Sequence, residues 1–437
     1  MPGILDCPSE VLDLIVDAVA LSPALDSEVD VADPPHQRSS RRILPLGKTC
    51  RFLYRRFFLP RFYSNCFLEF HNLSNPYENE GPRYRLFEFS AQGTVQKYNG
   101  FLEHGTFVKN LNVRFDDRRS DWMPTGQDWT NEEWSEYQDI PQPAPAVLDN
   151  LIPRFDHLRR VEFQRSVRSP GSLGDFVQGL GLVLSRVTTL TALDLSVQYN
   201  DRDKSDWIQS GIDLPYSSFI APLQELSISL DPMLRDLGWD DHLTEADVLS
   251  CFWFMDVLAN VLELPSRTVK ALNFEFIMEE FEDSAFGLLW LNGGDPLAGI
   301  GDPRKLLVFP VVEKLYLTPG SGCQLVFERY FVVIHRGIKE LGLQLISLSE
   351  ESWGRAIPLL GSFSQLTSLT LSHPPQIRIV QDVITSLSYF THLEGLRVLL
   401  FTPSSRETAI MDAYGQDPRI KLERVDSPGL ATVHMVF

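Results

Sequence analysis

The feature that most constrains the fold of this chain is an apolar signature, apolar-x-x-apolar-x-apolar, that recurs along most of its length. The last two apolar positions alternate, which predicts a short strand with one buried face. One such strand cannot bury its apolar face alone, whereas stacked repeats can. The signatures are Val108-Leu111-Val113, Leu158-Val161-Phe163, Leu190-Leu193-Leu195, Leu223-Leu226-Ile228, Val269-Leu272-Phe274, Val312-Leu315-Leu317, Ile338-Leu341-Leu343, Leu366-Leu369-Leu371 and Leu393-Leu396-Val398.

The spacing of the last four signatures resembles that of leucine-rich repeats. The last four follow one another after 26, 28 and 27 residues, within the range of about 20–29 for that repeat type. The earlier intervals of 50, 32, 33, 46 and 43 residues predict insertions. The intervening segments 173–184, 247–262 and 376–390 have helical character. The predicted fold class is therefore α/β, with an irregular solenoid of parallel strands and outer helices over residues 65–437.

Leucine-rich repeats commonly carry Asn or Cys three positions after the last Leu. None of the nine corresponding positions in this chain holds either residue; they are Asp116, Ser166, Gln198, Asp231, Ile277, Gly320, Ile346, Pro374 and Phe401. We therefore expect irregular repeats whose backbone amides are bonded in another way.

The main insertion, residues 116–145, is acidic and aromatic, with Trp122, Trp129 and Trp134 standing among carboxylates. Because exposed tryptophan is unfavourable, this segment either packs on the repeats or contacts a partner. We favour packing.

The first 64 residues predict a separate helical module. Apolar residues at spacings of three and four mark one face of a helix that begins near Pro8. A polar loop with several prolines, residues 22–42, separates it from a second apolar stripe. The two stripes contain Leu5, Pro8, Val11, Leu12, Ile15, Leu46, Cys50 and Leu53. Such short helices are marginal alone and tend to need a partner surface.

The run from Ile4 to Ile15, Ile-Leu-Asp-Cys-Pro-Ser-Glu-Val-Leu-Asp-Leu-Ile, resembles the opening of an F-box, roughly L-x-x-P-x-E-[IV]-L-x-x-I. The run Leu-Pro-Leu-Gly-Lys-Thr-Cys-Arg-Phe-Leu from Leu44 to Leu53 is similar to the second half of that motif. The resemblance covers residues 4–70 and is to F-box proteins of the fungal type. It implies that the two apolar stripes bind a Skp-type adaptor of a cullin ubiquitin ligase.

The same resemblance implies that the chain is the substrate-recognition subunit of such a ligase, not an enzyme itself, and that residues 65–437 hold a target protein. The alternative is a leucine-rich-repeat interaction scaffold with no role in ubiquitination. In that alternative the N-terminal helices are only a cap on the repeats.

A leucine-rich solenoid presents the outward residues of its strands, on the concave side, to a bound partner. The corresponding polar positions here, which we predict to bind the target, include Glu162, Asp194, Ser227, Asn273, Tyr316, Thr370 and Arg397; Asn112, Arg114 and Gly342 occupy similar places. The net charge of -19 resides in residues 69–437, because residues 1–33 carry eight acidic and residues 34–68 eight basic side chains. This acidity either attracts a basic target or only keeps the protein soluble.

Other function classes find little support in the sequence. The acidity argues against nucleic-acid binding, and we expect no membrane association because no apolar stretch is long enough. The five scattered cysteines indicate reduced thiols in an intracellular protein, cytoplasmic or nuclear or both. The chain has no GxSxG, GxxxxGK[ST], GxGxxG or HExxH motif and no metal-ligand spacing, so we expect no catalysis, no metal and no cofactor.

Overall fold

The structure is a computed structural model. It describes residues 55–56, 59–72, 84–89, 99–116, 138–140, 144–166, 172–199, 218–232, 253–276, 309–319, 337–344, 363–372, 395–401, 420–424 and 430–436. The chain divides into two compact units, residues 1–190 and 191–437. The F-box-like stripes and the loop 22–42 lie outside the described residues, so the predicted module boundary at residue 64 stays a prediction.

The first unit contains a mixed sheet. Its elements are α1 (Leu59–Phe62), β1 (Asn65–Asn72), β2 (Tyr84–Phe89), α2 (Asn99–His104), a 3-10 turn (Gly105–Phe107), β3 (Asn110–Asp116), β4 (Gln138–Ile140), α3 (Ala144–Leu151), a second 3-10 turn (Ile152–Arg154), β5 (Arg160–Ser166) and α4 (Ser172–Arg186). Strands β1, β3 and β5 are parallel, and β2 and then β4 continue the sheet antiparallel beyond β1. The end of the predicted insertion 116–145 therefore pairs with the sheet through β4, while its three tryptophans lie outside the described residues.

The second unit contains a longer parallel sheet. Its elements are β6 (Ala192–Tyr199), β7 (Glu225–Pro232), α5 (Trp253–Leu262), a 3-10 turn (Pro265–Thr268), β8 (Ala271–Phe276), β9 (Lys314–Pro319), β10 (Glu340–Gln344), β11 (Ser368–Ser372), β12 (Gly395–Phe401), β13 (Ile420–Arg424) and β14 (Leu430–Val436). Strands β6 to β12 pair in parallel in chain order. The sheet then ends with β14 antiparallel to β12 and β13 antiparallel to β14.

The strand predictions are confirmed. In each of the nine signatures the second and third apolar residues lie within a strand. Their side chains are buried where the structure describes them, as for Leu111, Val161 and Leu272. The helix predicted over 173–184 is observed as α4, and the one predicted over 247–262 includes α5; residues 376–390 fall outside the described ranges. The described repeats thus have the predicted leucine-rich α/β architecture.

Strand β1 adds a tenth parallel strand that our signature analysis missed. Its pattern is Tyr63-x-x-Cys66-x-Leu68, with all three residues buried. Phe70 continues the buried face and stacks on Phe115 of β3 at a ring-centroid distance of 5.3 Å. The first described repeat therefore overlaps the end of the segment, residues 4–70, that resembles an F-box.

Backbone hydrogen bonds link neighbouring repeats just before their strands begin. Where the structure describes them, the landmark positions still belong to paired strands, as in the Cα partners Gln198 and Asp231. Before β3, one carbonyl accepts two amides of the next repeat: Ser64 O accepts from Lys109 N at 2.9 Å and from Asn110 N at 3.0 Å. The same pattern recurs at the carbonyls of Lys109, Thr191, Gln224, Lys270, Glu313 and Lys339. These bonds satisfy the backbone N–H groups at the start of the strands and fix the register of neighbouring repeats.

The core of the first unit lies between its sheet and helix α4. Leu173, Phe176, Val177 and Leu180 form a buried stripe at helical spacing. Asp175 in the first turn is favourable for the helix dipole. Helix α3 packs so closely on α4 that a Cβ added at Gly179 would lie 2.8 Å from Cδ1 of Leu148.

The second unit has an aromatic core where β6 meets α5. The ring of Tyr199 lies 5.2 Å from that of Phe254 and contacts Trp253 edge-on at 5.9 Å. Tyr199 and Phe254 are fully buried, so this contact joins the outer helix to the sheet.

Gly105 allows a close approach between consecutive turns of the first unit. A Cβ at this position would lie 2.8 Å from Cβ of Arg154 and 3.0 Å from Cδ1 of Phe155. We expect Gly105→Ala to lower the free energy of unfolding by about 1–3 kcal/mol because the site is already filled. Urea denaturation measures the change. Gly337→Ala is the matched control, since no atom lies within 4 Å of its added Cβ; equal effects of the two substitutions would contradict the steric argument.

Candidate binding face

In each unit the parallel strands have a second face, opposite the buried apolar residues, which we call the open face of that unit. In β6, Leu193, Leu195 and Val197 are buried, while Asp194 and Ser196 on the other side are at least partly exposed. The open face is built by the same alternation that buries the repeat leucines, because successive strand side chains point to opposite sides.

Predicted target-binding residues line up across the open face of the second unit. The central row consists of consecutive Cα partners on β6 to β12: Asp194, Ser227, Asn273, Tyr316, Gly342, Thr370 and Arg397. At a strand spacing of about 4.8 Å, the row is about 29 Å long. It continues in register to His434 on β14 and Lys421 on β13, two positions that our sequence analysis did not include. Six of the seven predicted residues thus form one row, and binding by them stays a prediction.

Glu162, the seventh predicted residue, belongs to the first unit. Its Cα partner on β3 is Asn112, whose Nδ2 donates to Glu162 Oε2 at 2.7 Å. The side-chain amide of Gln164 donates to Oε1 of the same carboxylate. The two amides orient the carboxylate on the open face of β5, and Arg114 is the Cα partner of Gln164.

Cross-strand hydrogen bonds order the open face of the second unit. Asn273 Nδ2 donates to Ser227 Oγ at 3.1 Å. Two residues further along the strands, Ser229 Oγ donates to Glu275 Oε2 at 2.8 Å. Gln198 Nε2 donates to Asp231 Oδ2 at 2.9 Å, at the place where an Asn ladder would stand. Side chains held in this way lose less conformational entropy when a partner binds.

Strands β6 to β8 give the open face a negative charge. Their open-face positions are 192, 194, 196 and 198; 225, 227, 229 and 231; and 271, 273 and 275. These positions hold four carboxylates, Asp194, Glu225, Asp231 and Glu275, and no Lys, Arg or His. The remaining side chains are Ala, Ser, Gln and Asn, so this part of the face is polar and acidic.

The charges on β9 and β10 are paired instead. Lys314 Nζ lies 2.8 Å from Glu340 Oε2, and the hydrogen bond and charge of Glu340 raise the pKa of Lys314. At the entrance to the same strands, Lys339 Nζ lies 2.8 Å from Glu313 Oε1 and lowers the pKa of that carboxyl. Each pair is neutral around pH 7, so the negative charge of β6 to β8 is not offset by a lone cation at Lys314.

Tyr316 is the large aromatic residue exposed in the central row, with 45% of its surface accessible. Its ring lies across Gly342 on the neighbouring strand: a Cβ there would clash with Cδ1 and lie 3.0 Å from Cε1. Gly342, expected from sequence to face outward as a polar position, is therefore buried beneath the ring. The residue keeps its expected outward register, and the neighbouring ring covers it because glycine leaves room for that ring.

Among the described residues, no group of three or more His, Cys, Asp or Glu side chains is placed to hold a metal ion. Within those same ranges, no helix has the length and apolarity required to cross a membrane.

Comparisons with known proteins return structures but no sequence relatives. No family model matches the chain, and no curated protein matches it. The leucine-rich repeat-containing protein LegL7 from Legionella pneumophila is similar at 13% identity and a TM-score of 0.35, covering 83% of this chain and 99% of its own. The complex of Rad7 and Elc1 in yeast gives 11% identity and a TM-score of 0.25, with 88% of both chains covered. Similarity at this level carries no argument about function, so the assignment to leucine-rich architecture rests on the repeats themselves.

Proposed function

We propose that this chain is the substrate-recognition subunit of a Skp–cullin–F-box ubiquitin ligase. In this proposal residues 1–64 bind a Skp-type adaptor, and the repeats hold a target protein. The protein acts in the cytoplasm, the nucleus or both. The observation that carries the target-binding half is the central row, in which polar residues occupy the register positions on six of seven successive strands.

The proposed chain performs no chemistry of its own. It raises the rate of target modification by holding the target near the ligase, which replaces a bimolecular encounter with an intramolecular one. A rigid sheet suits this task, because its cross-strand hydrogen bonds order the surface before the target arrives.

Size-exclusion chromatography of the full chain with a purified Skp-type adaptor tests the ligase half of the proposal. We expect a stable complex that elutes before either component. Separate elution of the two proteins at micromolar concentrations would contradict adaptor binding and favour the interaction scaffold without a role in ubiquitination.

Reversing the charge of Glu162 and Asp194 tests the target-binding half. We expect the double variant Glu162→Lys, Asp194→Lys to bind a target identified by affinity purification roughly tenfold more weakly, because a basic partner is then repelled. Surface plasmon resonance at two salt concentrations measures the loss, and the salt dependence of association should fall with it. Adaptor binding should be unchanged.

The matched control is Glu103→Lys with Glu263→Lys, which makes the same charge change once in each unit. Both side chains are largely exposed, at 77% and 67%. They lie on α2 and just after α5, away from the strands of the open face. If this control weakens target binding as much as the Glu162 and Asp194 reversals do, the target does not bind the open face.

A further inference from the structure

The exposed aromatic ring of Tyr316 has a fixed position on the open face. Gly342 lets the ring lie across the backbone of β10, and any larger residue there would displace it. Tyrosine has few rotatable bonds and a large contact area, so it is a low-entropy anchor for a partner. An exposed ring on an otherwise polar row is therefore the place where a partner gains most from contact.

The charges around the ring define what can stack on it. Glu275, on the adjacent strand, lies diagonal to Tyr316, because Asn273 and Thr318 are the Cα partners of Tyr316 and Glu275. Asp194, Glu225 and Asp231 extend the negative charge over β7 and β6. The nearby cation Lys314 is held by Glu340 at 2.8 Å. A partner group thus meets an aromatic surface with carboxylates on one side.

We propose that Tyr316 is the anchor of the target-binding face and that it receives an arginine side chain from a basic segment of the target protein. A guanidinium group stacks on aromatic rings and forms paired hydrogen bonds with carboxylates, so one arginine can use both features. Lysine can use the charge but not the stacking plane or the paired bonds. This inference rests on the proposed function, since it names the chemistry of the target that the repeats hold.

Other occupants fit the face less well. An acidic segment is repelled by the four carboxylates of β6 to β8. An apolar segment would cover these carboxylates without bringing a positive charge to them, which is costly. A second copy of the chain carries the same net charge of -19, so long-range repulsion opposes its approach.

Fluorescence anisotropy with labelled peptides tests the proposal on the full chain. The probes are a short oligo-arginine peptide, an oligo-lysine peptide and an oligo-citrulline peptide of the same length, which keeps the shape of arginine without its charge. Because an acidic protein attracts any cationic peptide, the test uses substitutions in the protein that leave its net charge unchanged. We expect Tyr316→Ala to weaken oligo-arginine binding roughly tenfold, and Tyr316→Phe to retain most of it.

Gly342→Ala is a second, independent test of the anchor, because it keeps Tyr316 but its Cβ displaces the ring. We expect this variant to lose binding to a similar extent as Tyr316→Ala. The control Ile220→Ala removes a large apolar side chain that is more exposed than Tyr316, at 57%, and lies outside the strands. Binding by this variant should equal that of the unmodified chain. Oligo-lysine should bind more weakly than oligo-arginine and respond less to Tyr316→Ala.

Equal oligo-arginine binding by the unmodified chain and Tyr316→Ala would overturn the inference, and so would equal binding of oligo-citrulline and oligo-arginine. Adaptor binding is measured separately by size-exclusion chromatography. If the chain binds the adaptor but its oligo-arginine binding does not depend on Tyr316, only the assignment of Tyr316 as anchor is overturned. If its oligo-arginine binding depends on Tyr316 but the chain does not bind the adaptor, only the proposed ligase function is overturned.

Discussion

Replacing Phe176 with alanine is expected to lower the free energy of unfolding by about 3–5 kcal/mol. Phe176 is fully buried on α4. Its ring contacts Phe163 of β5 edge-on at 5.6 Å and Phe115 of β3 at 5.9 Å. The alanine variant loses both contacts and leaves a cavity between helix and sheet, because rigid strands relax little around it.

Urea denaturation followed by circular dichroism measures this loss. Phe107→Ala is the matched control: it removes the same atoms from a half-buried ring that stacks on His104 at 6.5 Å. We expect the control to be several times less destabilising. Similar midpoints for the two variants would show that α4 does not depend on the aromatic cluster.

The sheet could be predicted from sequence because its information is local. The apolar alternation in Leu193 and Leu195 fixes which side of β6 is buried, and a strand slipped by one residue would expose both. The same alternation places Asp194 on the open face. Since the same alternation occurs in every repeat, it places one residue of each strand in the central row, and this row can be predicted without knowledge of any long-range contact.

Other parts of the fold lacked a signal that we recognised. The first repeat has Tyr63 and Cys66 at its first two apolar positions, whereas these two positions are aliphatic in all nine signatures, so the signature does not predict it. A buried phenylalanine three residues before the first apolar position also recurs, at Phe155, Phe309 and Phe363. Its carbonyl accepts the amide of the first apolar residue in all three turns. Adding this position to the signature would have strengthened the prediction of the repeats.

Long-range arrangement could not be predicted from the pattern. The antiparallel direction of β14 and β13 depends on how the chain returns to the sheet, whereas strand periodicity is the same in both directions. The contact between Tyr316 and Gly342 joins residues 26 positions apart on neighbouring strands. Sequence identified both positions as outward-facing, but only the structure shows that the ring covers the glycine and so becomes a fixed anchor.

The second large effect is expected from Leu12→Asp. Leu12 belongs to the apolar stripe of the segment that resembles an F-box. A carboxylate placed in a buried helix interface has no partner, which costs roughly 3 kcal/mol or more and weakens binding more than a hundredfold. Isothermal titration calorimetry of the full chain with a purified Skp-type adaptor measures the change in Kd.

The control Leu14→Asp makes the same substitution about a third of a helical turn from the centre of the predicted stripe. A difference between the two variants therefore reports the position of the carboxylate on the helix and not its chemistry. Under the ligase proposal, Leu12→Asp loses adaptor binding while thermal stability changes little, because the stripe is free until the adaptor covers it. Under the alternative, in which the helix caps the repeats, Leu12→Asp lowers the melting temperature and no adaptor binding exists to be lost. Intact adaptor binding by Leu12→Asp together with loss by Leu14→Asp would show that the stripe has been assigned to the wrong helix face.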